Sequence, residues 1–153
     1  EEIERLKLYM ELEHMRFENK FGYHINIEGD IDTDSIEIPP MLLQPYIENS
    51  IWHGILPMQK PGTITITVKE VGDTIMFSIE DNGIGIEASL EKKRQKGALH
   101  ISRGMEITNG RINLLKTITN SGLSVKGPFD VKNELNGATG TRVEIVLPIK
   151  NYY

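Results

Sequence analysis

Cysteine is missing from all 153 residues, which excludes disulfide frameworks, thiolate zinc sites and cysteine nucleophiles, and fits a reducing compartment. Long apolar runs are missing too. No stretch approaches the ~20 residues needed to cross a bilayer, and no signal peptide heads the chain, so no direct membrane contact is expected. Positive charge is scarce: 17 Lys and Arg stand against 22 Asp and Glu, a net charge of −5. A general nucleic-acid binder needs clustered cations to release counterions, so nucleic acid is not an expected partner. Repeats and low-complexity tracts are also absent. What remains is the composition of an ordinary folded protein, of a length that suits one modest core.

The first twenty residues read as a helix with two apolar faces. Ile3, Leu6, Met10, Phe17 and Phe21 share one side, and Leu8, Leu12 and Met15 another. It opens on Glu1 and Glu2 with no capping side chain ahead of the pattern, so its true start is expected upstream, in a longer parent protein. Residues 23–28 alternate as a strand ending at Gly29-Asp30. Pro39-Pro40 then lead a helix to about Gly54, with Leu43, Tyr46, Ile47, Ser50 and Ile51 on its buried side. Pro45 is expected to interrupt and bend that helix, because an interior proline removes a backbone bond. Residues 62–71 and 74–80 are alternating strands joined by a hairpin at Gly72-Asp73. A polar stretch with Lys92, Lys93, Arg94 and Lys96 fills residues 87–103 and is too long for a plain connection. A helix over 104–119 and strands at 123–125 and 141–149 complete the chain.

Four places carry potential chemistry. In Asp81-Asn82-Gly83-Ile84-Gly85-Ile86 a strand delivers a carboxylate to its end, and two glycines let backbone approach a ligand closely. An ionised carboxylate there can accept from an adenine amino group; the same run is also ordinary turn chemistry. Asn49 and His53 lie four apart on one helix face. The asparagine carbonyl is a hard oxygen suited to Mg²⁺, which takes few protein ligands beside phosphates and water. A surface or capping asparagine also explains the first, and a histidine beside Gly54 that simply complements a helix end explains the second more readily. At Ser102-Arg103-Gly104-Met105 the polar stretch becomes a helix whose free N–H groups and basic neighbours suit phosphate, or are simply a solvated loop. Gly140-Thr141 opens the last strand with a hydroxyl that can support a base.

Order and context make these pieces specific. Together they resemble the gyrase, Hsp90, histidine-kinase and MutL ATPase superfamily, and most closely the LytS-type sensor histidine kinases. The run 43–54, from Leu43-Gln44-Pro45 to His53-Gly54, is similar to that group's N box, and residues 9–17 to the segment preceding it. The resemblance implies an α+β fold of Bergerat type: a two-layer α/β sandwich with a mixed, mostly antiparallel sheet and helices on one face. It divides the chain into residues 1–22, the end of a helix from an upstream acceptor and dimerisation region, and 23–153, an ATP-binding catalytic domain closed by a mobile lid. It implies ATP and Mg²⁺ as cofactors, with Asp81 on the adenine amino group and Asn49 on the magnesium. Gly83 and Gly85 shape the base pocket, Gly104 lies under the phosphates, and Thr141 supports the adenine. His53, Ile86, Arg103 and Met105 complete the implied nucleotide set. The implied partners are a homodimer mate and a response regulator, and the implied location is the cytoplasmic part of an inner-membrane sensor.

Departures from the family pattern fall at the phosphate end. Trp52 stands where many kinases carry Lys, Ser102 where the lid junction carries Gly, and Ile107 where many LytS-like members carry Asn. The implied acceptor histidine sits in an Asn-Pro-His-Phe-like helix, and none of His14, His24, His53 and His100 has that context. Glu48 is the candidate to polarise water or assist proton transfer, since the dedicated base of related ATPases would fall at Pro45. The expected function is therefore Mg·ATP binding for phosphoryl transfer to a histidine upstream. The alternatives are a serine kinase or ATPase on the same fold, and a degenerate nucleotide-binding or partner-docking module without kinase activity.

Overall fold

The computed structural model describes residues 2–38, 42–95, 123–132, 135 and 137–149. Elements run in the order α1 (Glu2–Arg16), β1 (Phe21–Glu28), α2 (Gln44–Asn49), β2 (Gly62–Val71), β3 (Thr74–Asp81), α3 (Ile86–Gln95), β4 (Ser124–Lys132) and β5 (Thr139–Pro148). The strands form one five-stranded sheet in the order β1-β2-β3-β5-β4. Only the β1–β2 pair is parallel among them; the other three pairs are antiparallel. The expected α+β fold with a mixed, mostly antiparallel sheet is what forms.

Strand alternation explains the layering. Ile64, Ile66 and Val68 of β2, Ile75, Phe77 and Ile79 of β3, and Val143, Ile145 and Leu147 of β5 are buried on one face. Helix residues Ile3, Leu6, Met10, Tyr46, Ile47 and Ile51 join the same core. The residues between them on the strands are half-exposed and mostly polar, with Met76 and Val146 the apolar exceptions. Among these, Glu80 and Arg142 sit opposite each other on β3 and β5 and pair at 2.7 Å.

Several sequence expectations shift. Phe21 does not extend the apolar face of α1; it opens β1. The helix stops at Arg16 because Glu18 and Asn19 turn left-handed, at φ of 53° and 61°, and the Asn19 N–H closes on the His14 carbonyl at 3.1 Å. Leu8, Leu12 and Met15 form the second face as expected, and it is exposed. Pro45 lies in the first turn of α2 rather than its interior, where a missing N–H costs no bond, so it neither interrupts nor bends the helix. The helical path continues past Asn49 as a π-helical turn, Ser50–Ile55, closed by the Leu56 N–H on the Ile51 carbonyl at 2.9 Å. The polar stretch after Glu87 begins as α3, not as a loop. β4 extends to Lys132, well past the expected end at residue 125, with a bulge between Lys126 and Phe129. Pro39-Pro40 and the helix expected over 104–119 lie outside the described residues.

Candidate functional site

The alternation that builds the core also places Asp81. Ile75, Phe77 and Ile79 face the helices, and Asp81 is the next residue of β3 on that face, 3% exposed at the strand's end. A buried carboxylate there needs donors, and it has two. The Thr141 hydroxyl, directly opposite on β5, donates to one oxygen, and the Gly83 N–H donates to the other at 2.9 Å. Asn82 is held the other way, accepting from the Thr63 N–H at 2.7 Å. The turn after β3 then presses on the end of the π-helical turn. The Ile84 N–H donates to the Gly54 carbonyl at 3.0 Å, and a Cβ on Gly83 would come within 2.3 Å of the Gly54 carbonyl carbon. Glycine at 83 is therefore a packing requirement of this junction, beyond any need of the turn.

Beside this junction lies a cavity of about 150 Å³. Asn49, His53 and Gly54 line one side, Gly85 and Ile86 the floor of the turn, Ser89 and Leu90 of α3 another side, and Pro128 and Thr141 the strand side. The π-helical turn keeps Asn49 and His53 on the cavity face while carrying Trp52 away from it. Trp52 is half-exposed and meets the Phe17 ring edge-on at 5.5 Å. The cavity thus combines apolar walls from Ile86, Leu90 and Pro128 with a few placed polar groups, the composition of a small-molecule site.

Of the residues singled out from sequence, Asn49, His53, Gly85, Ile86 and Thr141 line the cavity, while Asp81 and Gly83 do not line it themselves and join it through the hydrogen bond from Thr141 to Asp81. Glu48 takes a different position. It is exposed and does not line the cavity; its carboxylate acts on Tyr9 of α1. Burial pushes the Tyr9 phenol well above its ordinary range, and the carboxylates of Glu13 and Glu48 push it further. Arg103, Gly104 and Met105, together with Ser102 and Ile107, lie outside the described residues. Sequence reasoning passed over Ser89, Leu90 and Pro128. Leu90 sat in a stretch read only for its charges, and Pro128 beyond the expected end of its strand.

Asn49 fits the magnesium role in one respect. It presents a neutral, hard oxygen on the cavity wall, as suits an ion held mainly by phosphate and water. Among the described residues no cluster of three or more His, Cys, Asp or Glu side chains could hold a metal by itself. None of their helices is long and apolar enough to cross a membrane.

Comparison with known proteins matches this geometry to a family. Residues 38–151 match the model of the histidine kinase-, DNA gyrase B- and HSP90-like ATPases. The chain is 31% identical over 150 residues to the sensor protein LytS of Oceanobacillus iheyensis, covering 98% of this chain and 25% of that protein. The chain therefore spans about a quarter of the length of this relative. Its fold is similar to that of the mycobacterial sensor histidine kinase MprB, with a TM-score of 0.57 at 15% identity, covering 98% of this chain and 95% of that one. It is also similar to histidine kinase ThkA, solved in complex with the response regulator protein TrrA, with a TM-score of 0.53 at 14% identity, covering 97% of this chain and 39% of that one. With the family model matched over most of its length, and with the strand-end aspartate and the asparagine-bearing helix beside one cavity, the chain belongs to the histidine kinase-, DNA gyrase B- and HSP90-like ATPases.

Proposed function

We propose that this chain is the ATP-binding catalytic domain of a LytS-type sensor histidine kinase, holding Mg·ATP for phosphoryl transfer to a histidine outside these residues. The observation that carries the reading is Asp81. A buried carboxylate beside a cavity, with both oxygens already fixed by donors, keeps lone pairs free to accept from the exocyclic amino group of adenine. Thr141 fixes that carboxylate's orientation, Ile86, Leu90 and Pro128 offer apolar surface to a base, and Asn49 and His53 stand where the phosphates would run. Asn49 would hold the magnesium, which when bound neutralises charge developing on the transferred phosphoryl group. Arg103, Gly104 and Met105 complete the proposed nucleotide set.

Glu48 has the weaker claim to a catalytic role, because it does not line the cavity and its charge acts on Tyr9 of α1. If it assists proton transfer, it does so toward an acceptor brought in from the α1 side. The parent is proposed to be a membrane-anchored sensor with this domain on its cytoplasmic side, dimeric through its acceptor region and passing phosphate to a response regulator. Trp52 favours a second reading, a nucleotide-binding module without kinase activity: it occupies a position that is Lys in many histidine kinases and turns to Phe17 instead of the cavity.

Calorimetric titration with Mg·ATP tests the shared core of both readings; no binding sinks both. Incubating the parent, acceptor region included, with γ-labelled ATP separates them. Label on histidine supports the kinase, and ATP binding without any label leaves the module.

A further inference from the structure

We propose that Asp130 of β4 is a positioning residue for the nucleotide site, capping α3 from across the sheet and so holding the cavity wall that α3 provides. The assignment rests on the nucleotide reading of the same cavity.

Asp130 stands opposite Thr141 in the β4–β5 register, and Thr141 stands opposite Asp81 in the β3–β5 register. Residues directly opposite share a face, so the three form one row across the sheet beneath the cavity. Asp81 uses its carboxylate inside the row. Asp130 directs its own upward: one oxygen accepts from the Ile86 N–H at 2.5 Å and the other from the Glu87 N–H at 3.4 Å. These are the first two residues of α3, whose N–H groups have no partner within the helix.

The local sequence cannot cap this helix. Gly85 precedes it and has no side chain to offer. Gly85 is nonetheless what admits the distant cap, since it has a φ of 88° and a Cβ there would lie 2.9 Å from an Asp130 oxygen. Asp130 also places a negative charge at the positive end of the helix dipole.

The consequence for the site follows from helix length. A helix of ten residues is marginal in water without tertiary support. Ile86, Ser89 and Leu90 wall the cavity only while it is formed. Losing the cap raises the population in which the wall is open, and apparent affinity falls by the fraction that remains competent.

The test uses the 153-residue chain with Asp130→Ala and Asp130→Asn, titrated with Mg·ATP, together with amide hydrogen exchange of α3 without nucleotide. Asp130→Ala should raise Kd roughly three- to tenfold, the scale of a lost helix cap, and lose exchange protection in α3. Asp130→Asn, which keeps a capping acceptor, should recover most of both. Val68→Ala, buried in the core away from the cavity, should lower the melting temperature without moving Kd. Wild-type affinity in Asp130→Ala overturns the assignment alone, as does an affinity loss with α3 protection unchanged. No binding by the unsubstituted chain overturns the nucleotide reading and takes this assignment with it.

Discussion

Replacing Asp81 by Asn changes one atom and isolates the proposed adenine contact. In the structure one carboxylate oxygen accepts from the Gly83 N–H at 2.9 Å and the other from the Thr141 hydroxyl, with lone pairs left over for a ligand. An asparagine has one acceptor oxygen. Keeping it on the Gly83 N–H turns its NH₂ toward Thr141, which tolerates the change, because a hydroxyl rotates to accept. The same NH₂ then faces the amino group of adenine, donor against donor. Binding loses a hydrogen bond to a charged group, worth about 1.5–3 kcal/mol, or roughly a ten- to hundredfold rise in Kd for Mg·ATP. Fold stability should change by no more than about 1 kcal/mol, since both internal bonds have neutral replacements. Titration calorimetry measures the first quantity and urea denaturation the second. Guanine carries a carbonyl where adenine carries its amino group, so the discrimination between Mg·ATP and Mg·GTP should narrow in the same variant. Unchanged ATP affinity in a folded Asp81→Asn protein refutes the placement of the adenine.

Two further perturbations test the fold around the site. Gly83→Ala should lower stability by about 1–3 kcal/mol and abolish tight nucleotide binding, because its Cβ meets the Gly54 backbone at 2.3–2.5 Å. Gly22→Ala, with open space around it in β1, should leave the melting temperature unchanged or raise it slightly; equal effects of the two in thermal melts would contradict the account. Tyr9 predicts an alkaline limb. Its raised value means that the native phenol keeps a proton the unfolded chain releases, so its stability contribution is complete below about pH 10 and declines as pH rises beyond it. Tyr9→Phe should flatten the fall in urea midpoint between about pH 9 and 11, leaving the parts due to Tyr46, raised by burial, and Tyr23, raised by its hydrogen bond to Glu11.

Much of the architecture could be read locally. A period of two in residues 62–71 and 74–80 fixed which side chains face the helices, and carried Asp81 onto the buried face by the same count. A spacing of four put Asn49 and His53 on one face, and both reach the cavity. The resemblance to LytS-type kinases rested on those same residues. Helix ends were less legible. Stopping α1 at Arg16 needed a left-handed Glu18 and Asn19, and glycine is the residue that usually advertises such a turn. Pro45 read as an interruption because the start of α2 could not be located from pattern alone.

Sequence by itself determined the alternations, the acidic strand end and the glycines that let backbones meet. These follow from bond geometry over a few residues. Only the tertiary structure decided which distant groups share the site. Thr141 reaches Asp81 across 60 residues and Asp130 reaches Ile86 across 44. Glu48 lies outside the cavity, where its charge acts on Tyr9, although its neighbour Asn49 lines it. Strand register and helix placement are set by how the whole core closes, and no local period encodes them.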